Sequence, residues 1–384
     1  MFKNFNLSIK EYIRDSPKLD KINWQDIPDS IKLKLDIFPD EIKKFGNFIT
    51  IRRLKLVKKD KKVAKNIIGI KRSMTGNKWF KIKLPIMLKN KVYSTLYALM
   101  ISEGSYKTEF SLNVPEKEFH DLFRNCIKNL ISEEAANLIR IDYNKQFLRS
   151  RAPAIIRHII PFPEHIPLTI LKNRELAREY LKVAFEAEGS PILNKSKCKR
   201  YIKLSRYTDI SSFISNEKFT LKKRIYVNAI KVKYPKLFEK IKEHPPKILL
   251  GEQILLKKHF DIDTKLQLEA IRKNKTDLRA GKITARWVLF IYAHNINKFI
   301  KEIGFISKKK NGICTEMMKI KTRRPKYYNL KIINKIQKDK FFYSKAFVKE
   351  MKKIGYKSPR CYLQRFSKQG LIKKISRGYY KIIF

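Results

Sequence analysis

The sequence predicts an α+β protein with an internal duplication and a separate helical domain at its C-terminal end. Two helical runs, about 85 residues apart, each end in Glu-Gly-Ser and give way to alternating, strand-like residues. The last stretch of about 60 residues contains three helical segments and then an alternating basic hairpin. The first observation predicts the duplication, and the second predicts the C-terminal domain.

The charge balance is strongly basic. Lys and Arg total 88 while Asp and Glu total 35, which gives a formal net charge of +53. Such a field repels itself unless a polyanion neutralises it, and every contacted phosphate releases a counterion. A lysine-rich genome would also raise the basic content, but acidic residues would then rise alongside. The charge therefore predicts a nucleic acid as the partner.

Other features narrow the class of protein. The four cysteines are far apart and form no CxxC pair, which is typical of reduced, intracellular thiols, and the six histidines pair with none of them at zinc-finger spacing. The N-terminus lacks the apolar core of a signal peptide. The longest apolar runs, such as Trp287–Ala293, fall short of the roughly 20 residues that span a bilayer. We expect a cytoplasmic, nucleoid-associated protein without a membrane segment.

Residues 1–90 are predicted to form an N-terminal basic segment. Ile27–Gly46 has helical spacing, and Phe48–Val57 alternates apolar and basic residues as a half-buried strand does. No enzyme motif lies in this segment, so its role stays open.

The duplicated segments begin as apolar helices. Their last nine residues are Leu96–Gly104 in the first copy and Leu181–Gly189 in the second. A strand-like pattern follows each copy. Further along, Trp287–Ala293 has the length of a buried strand and leads into an amphipathic helix that closes at Gly304-Phe305.

These paired segments resemble the LAGLIDADG motif of homing endonucleases, and the resemblance covers roughly Lys91–Lys310. It implies a duplicated αββαββα LAGLIDADG homing-endonuclease fold, with repeats over 91–172 and 173–310. It also implies a monomer with internal pseudo-twofold symmetry whose two motif helices pack side by side. Ala98 suits a close helix crossing, whereas Val183 is bulkier than the Gly or Ala usual there.

The C-terminal part is predicted to be a linker over 311–326 and a winged helix-turn-helix domain over 327–384. Ser344 can cap the second helix, and Pro359 suits the first turn of the third. Arg377-Gly378 predicts the tight turn of the hairpin. The third helix and the hairpin would contact the major groove and the phosphates.

The resemblance also implies the chemistry. Glu103 and Glu188, at the ends of the two helices beside Gly104 and Gly189, would bind Mg²⁺ or another divalent cation such as Mn²⁺. Each acid would serve one strand of duplex DNA. Both copies have Glu where Asp is more typical, which leaves open a weakened or inactive nuclease. Glu186 is a competing carboxylate, but register with Gly189 favours Glu188.

Homing endonucleases also place a basic residue near the metals, and Lys309 or its neighbour Lys308 is the candidate here. The equivalent residue of the first repeat is not identified, although Arg157 and His165 lie in the corresponding stretch. The remaining candidates are predicted DNA contacts on the strands after each motif, on the third C-terminal helix and in the hairpin turn: Lys107, Glu109, Asn113, Lys199, Lys203, Arg206, Arg360, Gln364, Arg365, Lys368 and Arg377.

Three functions stay open on the sequence. A site-specific double-strand DNA endonuclease is favoured because both acids are present. A DNA-binding regulator could keep the scaffold without cleavage, and an intron maturase could use the same surface for structured RNA. Absence of cleavage by the wild type on any sequence would favour the regulator, whereas unchanged cleavage after replacement of both acids would remove only the assigned site.

Overall fold

The chain, seen in a computed structural model, divides into two compact units, Met1–Met318 and Lys319–Phe384. The structure describes residues 10–23, 26, 48–51, 54–58, 67–72, 79–83, 85–107, 109–144, 147–153, 156–194, 199–214, 224–273, 282–319, 332–337, 339–353, 359–368 and 370–383. The helix predicted over Ile27–Gly46 lies outside the described residues. Among the helices so described, none has the length and apolar character needed to cross a bilayer.

The N-terminal part of the first unit contains a small sheet of its own. Residues 10–15 are helical, and four antiparallel strands follow in the order β2-β3-β4-β5. Phe48–Val57, predicted as one strand, forms a hairpin of two strands, in which Ile51 pairs with Leu54. The strands of this part are β1 (Lys21–Ile22), β2 (Phe48–Ile51), β3 (Leu54–Lys58), β4 (Ile67–Arg72), β5 (Trp79–Lys83) and β6 (Ile86–Met87), of which β1 and β6 pair with each other.

The first repeat is a helix, two strands, a helical layer, two strands and a helical return. Its sheet is antiparallel, with the strand order β7-β8-β10-β9. The elements are α1 (Lys91–Glu103), β7 (Gly104–Ser105), β8 (Ser111–Val114), α2 (Lys117–Leu130), α3 (Glu133–Asn137), β9 (Arg140–Asn144), β10 (Phe147–Arg151), α4 (Ile156–Ile159) and α5 (Leu168–Lys172).

The second repeat follows the same plan with longer strands. Its antiparallel sheet has the order β11-β12-β15-β14-β13. The elements are α6 (Arg174–Glu188), β11 (Gly189–Asn194), β12 (Lys199–Asp209), α7 (Ser211–Ile214), β13 (Ile225–Tyr226), α8 (Val227–Lys233), α9 (Pro235–Lys242), α10 (Lys247–Phe260), β14 (Thr264–Lys273), β15 (Ile283–Tyr292), α11 (Ala293–Glu302) and α12 (Lys308–Lys319).

The two repeats share one topology. In each sheet the first strand lies at the edge, the second pairs with it, the fourth pairs with the second, and the third lies beyond the fourth. The second repeat adds α7, β13, α8 and α9 between its second strand and its main helix. The predicted α+β fold with a duplicated αββαββα arrangement is thereby confirmed. The prediction came from the two Glu-Gly-Ser segments, and the equal strand order of the two sheets is a separate observation that agrees with it.

The two long helices α1 and α6 pack against each other in the core. Each begins at an asparagine whose side chain accepts backbone N–H groups: Asn90 from Tyr93 (2.8 Å), and Asn173 from Leu176 (3.1 Å). Tyr97 and Tyr180 meet across the pair, with ring centroids 5.7 Å apart. Residues 93–100 of α1 are all buried, so this helix is enclosed by the core on every side. Burial of each large side chain contributes roughly 2 kcal/mol.

The linker predicted over 311–326 is helical in its first part. Helix α12 runs through it to Lys319, because Cys314 and Met317 are three residues apart and bury one face of the helix in the core of the first unit. Residues 320–326 lie outside the described ranges. The prediction of a linker is therefore wrong for 311–319.

The second unit has its own core. Residues 332–336 are helical, and the three-stranded antiparallel sheet has the order β16-β18-β17. Phe342, Phe347 and Met351 are among the buried residues that join sheet and helices. The elements are β16 (Phe341–Tyr343), α13 (Ser344–Lys353), α14 (Arg360–Lys368), β17 (Ile372–Ser376) and β18 (Tyr379–Ile382).

Candidate functional site

The last residues of the two packed helices are the two predicted acids. Glu103 ends α1 and Glu188 ends α6, and their carboxylates interact electrostatically. Arg206 lies beside both helix ends, since its Nη1 is 3.1 Å from Ser102 Oγ and 3.8 Å from Glu188 Oε1. The structure thus brings the two predicted acids to one site.

The electrostatics of the acid pair favour a bound proton or cation. Burial and then the neighbouring Glu188 carboxylate raise the pKa of Glu103 to about 7, against the opposing charge of Arg206. Burial also raises the pKa of Glu188, while Arg206 lowers it. Two half-buried carboxylates at one site repel each other, and a divalent cation relieves that repulsion.

A buried ion pair lies directly behind Glu188. Arg206 Nη2 is 2.5 Å from Glu252 Oε1, and the Tyr180 hydroxyl donates to the same carboxylate oxygen at 3.0 Å. The Glu252 side chain is 0% exposed and that of Arg206 is 7% exposed. Because Glu252 neutralises most of the Arg206 charge, the two acids at the helix ends keep a net negative charge.

Lys310 is the lysine that the structure places at the acid pair. Its Nζ donates to the backbone oxygens of Glu186 and Gly189, the latter at 3.0 Å, and its charge lowers the pKa of both Glu103 and Glu188. The predicted Lys309 is exposed. Lys310 therefore replaces Lys309 as the basic residue near the acids. Because α12 begins at Lys308, adjacent lysines point in different directions around the helix.

Glu186, the competing carboxylate, has a structural position. It is 8% exposed, and its Oε2 accepts the backbone N–H groups of Ile306 (2.8 Å) and Ser307 (3.1 Å). It therefore holds the turn before α12 against α6. The candidates for the first repeat have other contacts: Arg157 donates to the carbonyl of Lys107 at 3.0 Å, and His165 packs against Tyr12.

The two glycines after the acids permit an abrupt exit from each helix. A Cβ atom on Gly104 would lie 2.6 Å from the Met100 backbone, and one on Gly189 would lie 2.3 Å from the Phe185 oxygen. Both glycines are extended, with φ near −90°, and still donate to the carbonyl four residues back. A side chain at either glycine would push the first residue of the strand away from the end of the helix that carries the acid.

We expect Gly189→Ala to destabilise the first unit by roughly 1–3 kcal/mol, because the added methyl overlaps helix backbone that has no room to shift. Urea unfolding measures the effect. Gly312→Ala is the matched control, since a Cβ there meets nothing within 4 Å, and its midpoint should not fall. Equal midpoints for the wild type and Gly189→Ala would contradict this account of the helix end.

One member of the acid pair, Glu188, borders a cleft in the first unit. This cleft of about 770 Å³ is bordered by Ser102, Glu188 and Arg206 and extends to Lys107 and Lys247. Within the described ranges, no three His, Cys, Asp or Glu side chains are grouped to hold a metal ion by themselves. The two carboxylates fit part of the oxygen shell that Mg²⁺ or Mn²⁺ takes, with water and phosphate oxygens as its remainder.

The outward face of the first sheet carries charged side chains in pairs. Arg149 forms an ion pair with Glu109 and lies opposite Asn113 in the register. Arg151 contacts Asp142 at 3.0 Å. Lys107 is exposed in the loop before β8. Lys107, Glu109 and Asn113 stay predicted DNA contacts. Arg149 and Arg151 were not among the predicted contacts, although their i, i+2 spacing in FLRSR places both on one face of the strand.

The outward face of the second sheet is basic and aromatic. Lys199 and Lys203 lie on it with Tyr201, whose ring is 5.5 Å from that of Phe290. Arg206 was predicted to read bases, and the structure contradicts this, since its side chain is buried on the opposite face with Glu252. Even-numbered residues of β12, including Ile202 and Leu204, point into the core, and Arg206 has their parity.

The predicted contacts of the second unit are at its surface. Arg360, Gln364 and Arg365 are exposed along α14, and Arg377 is exposed in the hairpin turn. Lys368 is the last residue of α14; its side chain lies outside the described residues. The predicted turn at Gly378 is present, with φ +80° at that glycine. Ser344, predicted as a cap, is the first residue of α13, and its backbone N–H donates to the Gly378 carbonyl at 2.7 Å.

Comparison with known protein families found no match, and comparison with curated proteins found none either. Similar solved structures include full-length DUF199/WhiA from Thermatoga maritima, at 14% identity, with 64% of this chain and 67% of that chain covered and a TM-score of 0.32.

Two further similar structures are of the homing endonuclease I-DmoI. Its mesophilic variants show 14% identity, cover 59% of this chain and 97% of that chain, and have a TM-score of 0.31. Its complex with DNA and Ca shows 15% identity, 56% and 88% coverage, and a TM-score of 0.29. At these values the function has to be argued from the repeat topology and the acid pair themselves.

Proposed function

We propose that the chain is a DNA endonuclease of the LAGLIDADG type, which binds duplex DNA as a monomer and hydrolyses phosphodiester bonds with a divalent cation at Glu103 and Glu188. The observation that carries the proposal is the meeting of these two acids at the ends of paired helices, where they interact electrostatically. The two repeats in one chain would supply both halves of the binding surface.

The chain's own residues have separable tasks in this reaction. Glu103 and Glu188 would hold the Mg²⁺ or Mn²⁺ ion, which would supply acidification of water and stabilisation of charge on the leaving oxygen. Lys310 adds positive charge beside both acids, where it attracts the scissile phosphate. Arg206 holds the Glu188 carboxylate from behind. Gly104 and Gly189, which follow the two acids, would supply the backbone beside such a cation.

The outward sheet faces would lie along the DNA. Arg149 and Arg151 in the first repeat and Lys199 and Lys203 in the second are placed on alternate positions, as side chains entering a groove must be. Asn113 and Glu109 add hydrogen-bonding groups that can distinguish bases. In the second unit we propose a winged helix-turn-helix whose α14 enters the major groove through exposed residues, with Arg377 on a phosphate.

The experiment is a cleavage assay of the full chain on a genomic DNA library with Mg²⁺ or Mn²⁺. The proposal expects a discrete set of double-strand breaks, absent with EDTA and absent for Glu103→Gln and Glu188→Gln. The matched control is Glu175→Gln, an exposed acid at the opposite end of α6, which should cut as the wild type does. Breaks that persist in both site variants would remove the assigned centre.

A specific observation favours a second function. Lys310 already donates to the Gly189 carbonyl, and Arg206 approaches Glu188, so cations of the chain itself lie where a metal would bind. A non-catalytic protein that binds DNA, or structured RNA, would be consistent with this. Tight binding of library sequences without breaks in any divalent metal supports that function and rejects the nuclease.

Cation binding should depend on pH. Because the pKa of Glu103 is about 7 in the metal-free protein, a cation must displace a proton below that pH. We expect the affinity for Mn²⁺ to be roughly tenfold higher at pH 8 than at pH 6. Calorimetric titration at both pH values measures this, with Glu103→Gln as the control whose binding is weaker and changes less between the two pH values. Equal wild-type affinities would contradict the placement of a proton on Glu103.

A further inference from the structure

The sheet of the second unit has an aromatic outer face. Its inner face carries Phe342, which is 2% exposed, and Tyr380, which packs against the core. Side chains alternate along a strand, so the neighbours Phe341 and Tyr343 on β16 and Tyr379 on β18 point away from the helices. The rings form a continuous strip, which we call the aromatic strip (Phe341, Tyr343 and Tyr379).

Tyr379 is at the centre of the aromatic strip. Its ring is stacked with that of Phe341, with centroids 5.4 Å apart and an interplanar angle of 7°, and lies 4.8 Å from that of Tyr343. Tyr343 is 65% exposed. A Tyr at this exposure gains little from folding, so its ring face is available to a ligand.

Lysines accompany the aromatic strip. Lys381 Nζ lies 5.7 Å from the Phe341 ring centroid, and exposed Lys373 is opposite Lys381 in the register. Residues 327–384 contain 16 Lys and Arg but two acids, Asp339 and Glu350. Glu350 is on α13, paired with Lys353 at 2.7 Å. The charge around the aromatic strip therefore suits a polyanion.

We propose that the aromatic strip binds single-stranded nucleic acid, with bases stacked on Tyr343 and Tyr379 and phosphates on Lys373 and Lys381. Rings next to lysines are the combination that sequence-tolerant single-strand binding uses. In a duplex the base faces are covered by their neighbours, so exposed rings gain nothing from it. A protein partner would need an acidic surface to match this face, whereas every nucleic acid carries that negative charge on its phosphates.

This activity is separate from the α14 and hairpin-turn contacts and from the acid pair. The inference does not rest on the nuclease, since it follows from the second unit alone.

The test is fluorescence anisotropy of the full chain with labelled oligo(dT), in parallel with a labelled duplex. We expect Tyr343→Ala to weaken oligo(dT) binding about tenfold and to leave duplex binding within about twofold. Tyr343→Phe keeps the ring and should bind as the wild type does. A fluorescent base analogue in the oligonucleotide reports stacking directly, and its quenching should disappear with Tyr343→Ala.

Two controls define the result. Tyr226→Ala removes a Tyr of similar exposure, 59%, from the first unit and should change neither binding curve. Glu103→Gln should bind oligo(dT) normally, so a failed nuclease and a failed aromatic strip are distinguishable. Wild-type affinity and quenching in Tyr343→Ala, or equal losses for duplex and oligo(dT), would overturn the proposal.

Discussion

Replacing Glu252 by alanine is expected to destabilise the first unit by about 3–5 kcal/mol. Glu252 is fully buried and accepts hydrogen bonds from Arg206 and Tyr180. An arginine cannot lose its charge in a protein. The substitution therefore leaves a buried cation whose only other acid contact among the described ion pairs is Glu188, at 3.8 Å.

Urea unfolding of the purified chain measures this loss. The double replacement Arg206→Met with Glu252→Leu should recover most of the stability, because apolar side chains of similar size can replace a buried ion pair. Glu239→Ala is the surface control, since its pair with Lys242 is exposed, and its midpoint should match the wild type. A single Glu252→Ala variant that unfolds at the wild-type midpoint would show that the pair is not buried as described.

The second large effect is that Glu103→Gln should stabilise the fold and abolish cleavage. The pKa of Glu103 is raised from 4.5 to about 7 in the folded chain. Below pH 4.5 the carboxyl is protonated in both the folded and the unfolded chain, so the raised pKa does not lower the free energy of unfolding. Between 4.5 and 7 the unfolded chain releases the proton first, and stability falls as pH rises until the full cost is reached above 7.

Glutamine removes that cost, so we expect a gain of roughly 1–3 kcal/mol at pH 8 in metal-free buffer and no gain near pH 4.5. Cleavage should fall at least on the order of 10³-fold. Thermal unfolding across this pH range and a cleavage time course measure the two effects. A variant that is less stable at pH 8 than the wild type would indicate that Glu103 is a structural group rather than a strained site residue.

The duplication could be predicted from the sequence because it leaves a local mark. The helix ends at Glu103 and Glu188 are each followed by a position that has no room for a Cβ atom and therefore requires glycine. The motif is thus visible in the sequence without any knowledge of packing. The asparagine caps Asn90 and Asn173 are an equally local signal that sequence reasoning did not use. Together they define both ends of each helix.

The partners of the acids could not be predicted, because they come from distant segments. Glu252 is 46 residues from Arg206 in the chain, and no periodicity in β12 reveals what Arg206 meets inside. Arg206 is an even-numbered residue of β12, like the buried Ile202 and Leu204. The alternation of the strand therefore already placed its side chain on the inner face, away from DNA. Likewise, Lys310 could be separated from Lys309 only by knowing that α12 begins at Lys308.

The shared position of the two acids is tested most directly by NMR titration of the Glu103 side-chain carboxyl in selectively labelled, metal-free protein. Our account predicts a midpoint near pH 7 in the wild type and a lower one, still above 4.5, in Glu188→Gln, because burial remains while the neighbouring charge is gone. A Glu103 that titrates near 4.5, or one whose midpoint ignores the loss of Glu188, would place the acids apart and contradict the site.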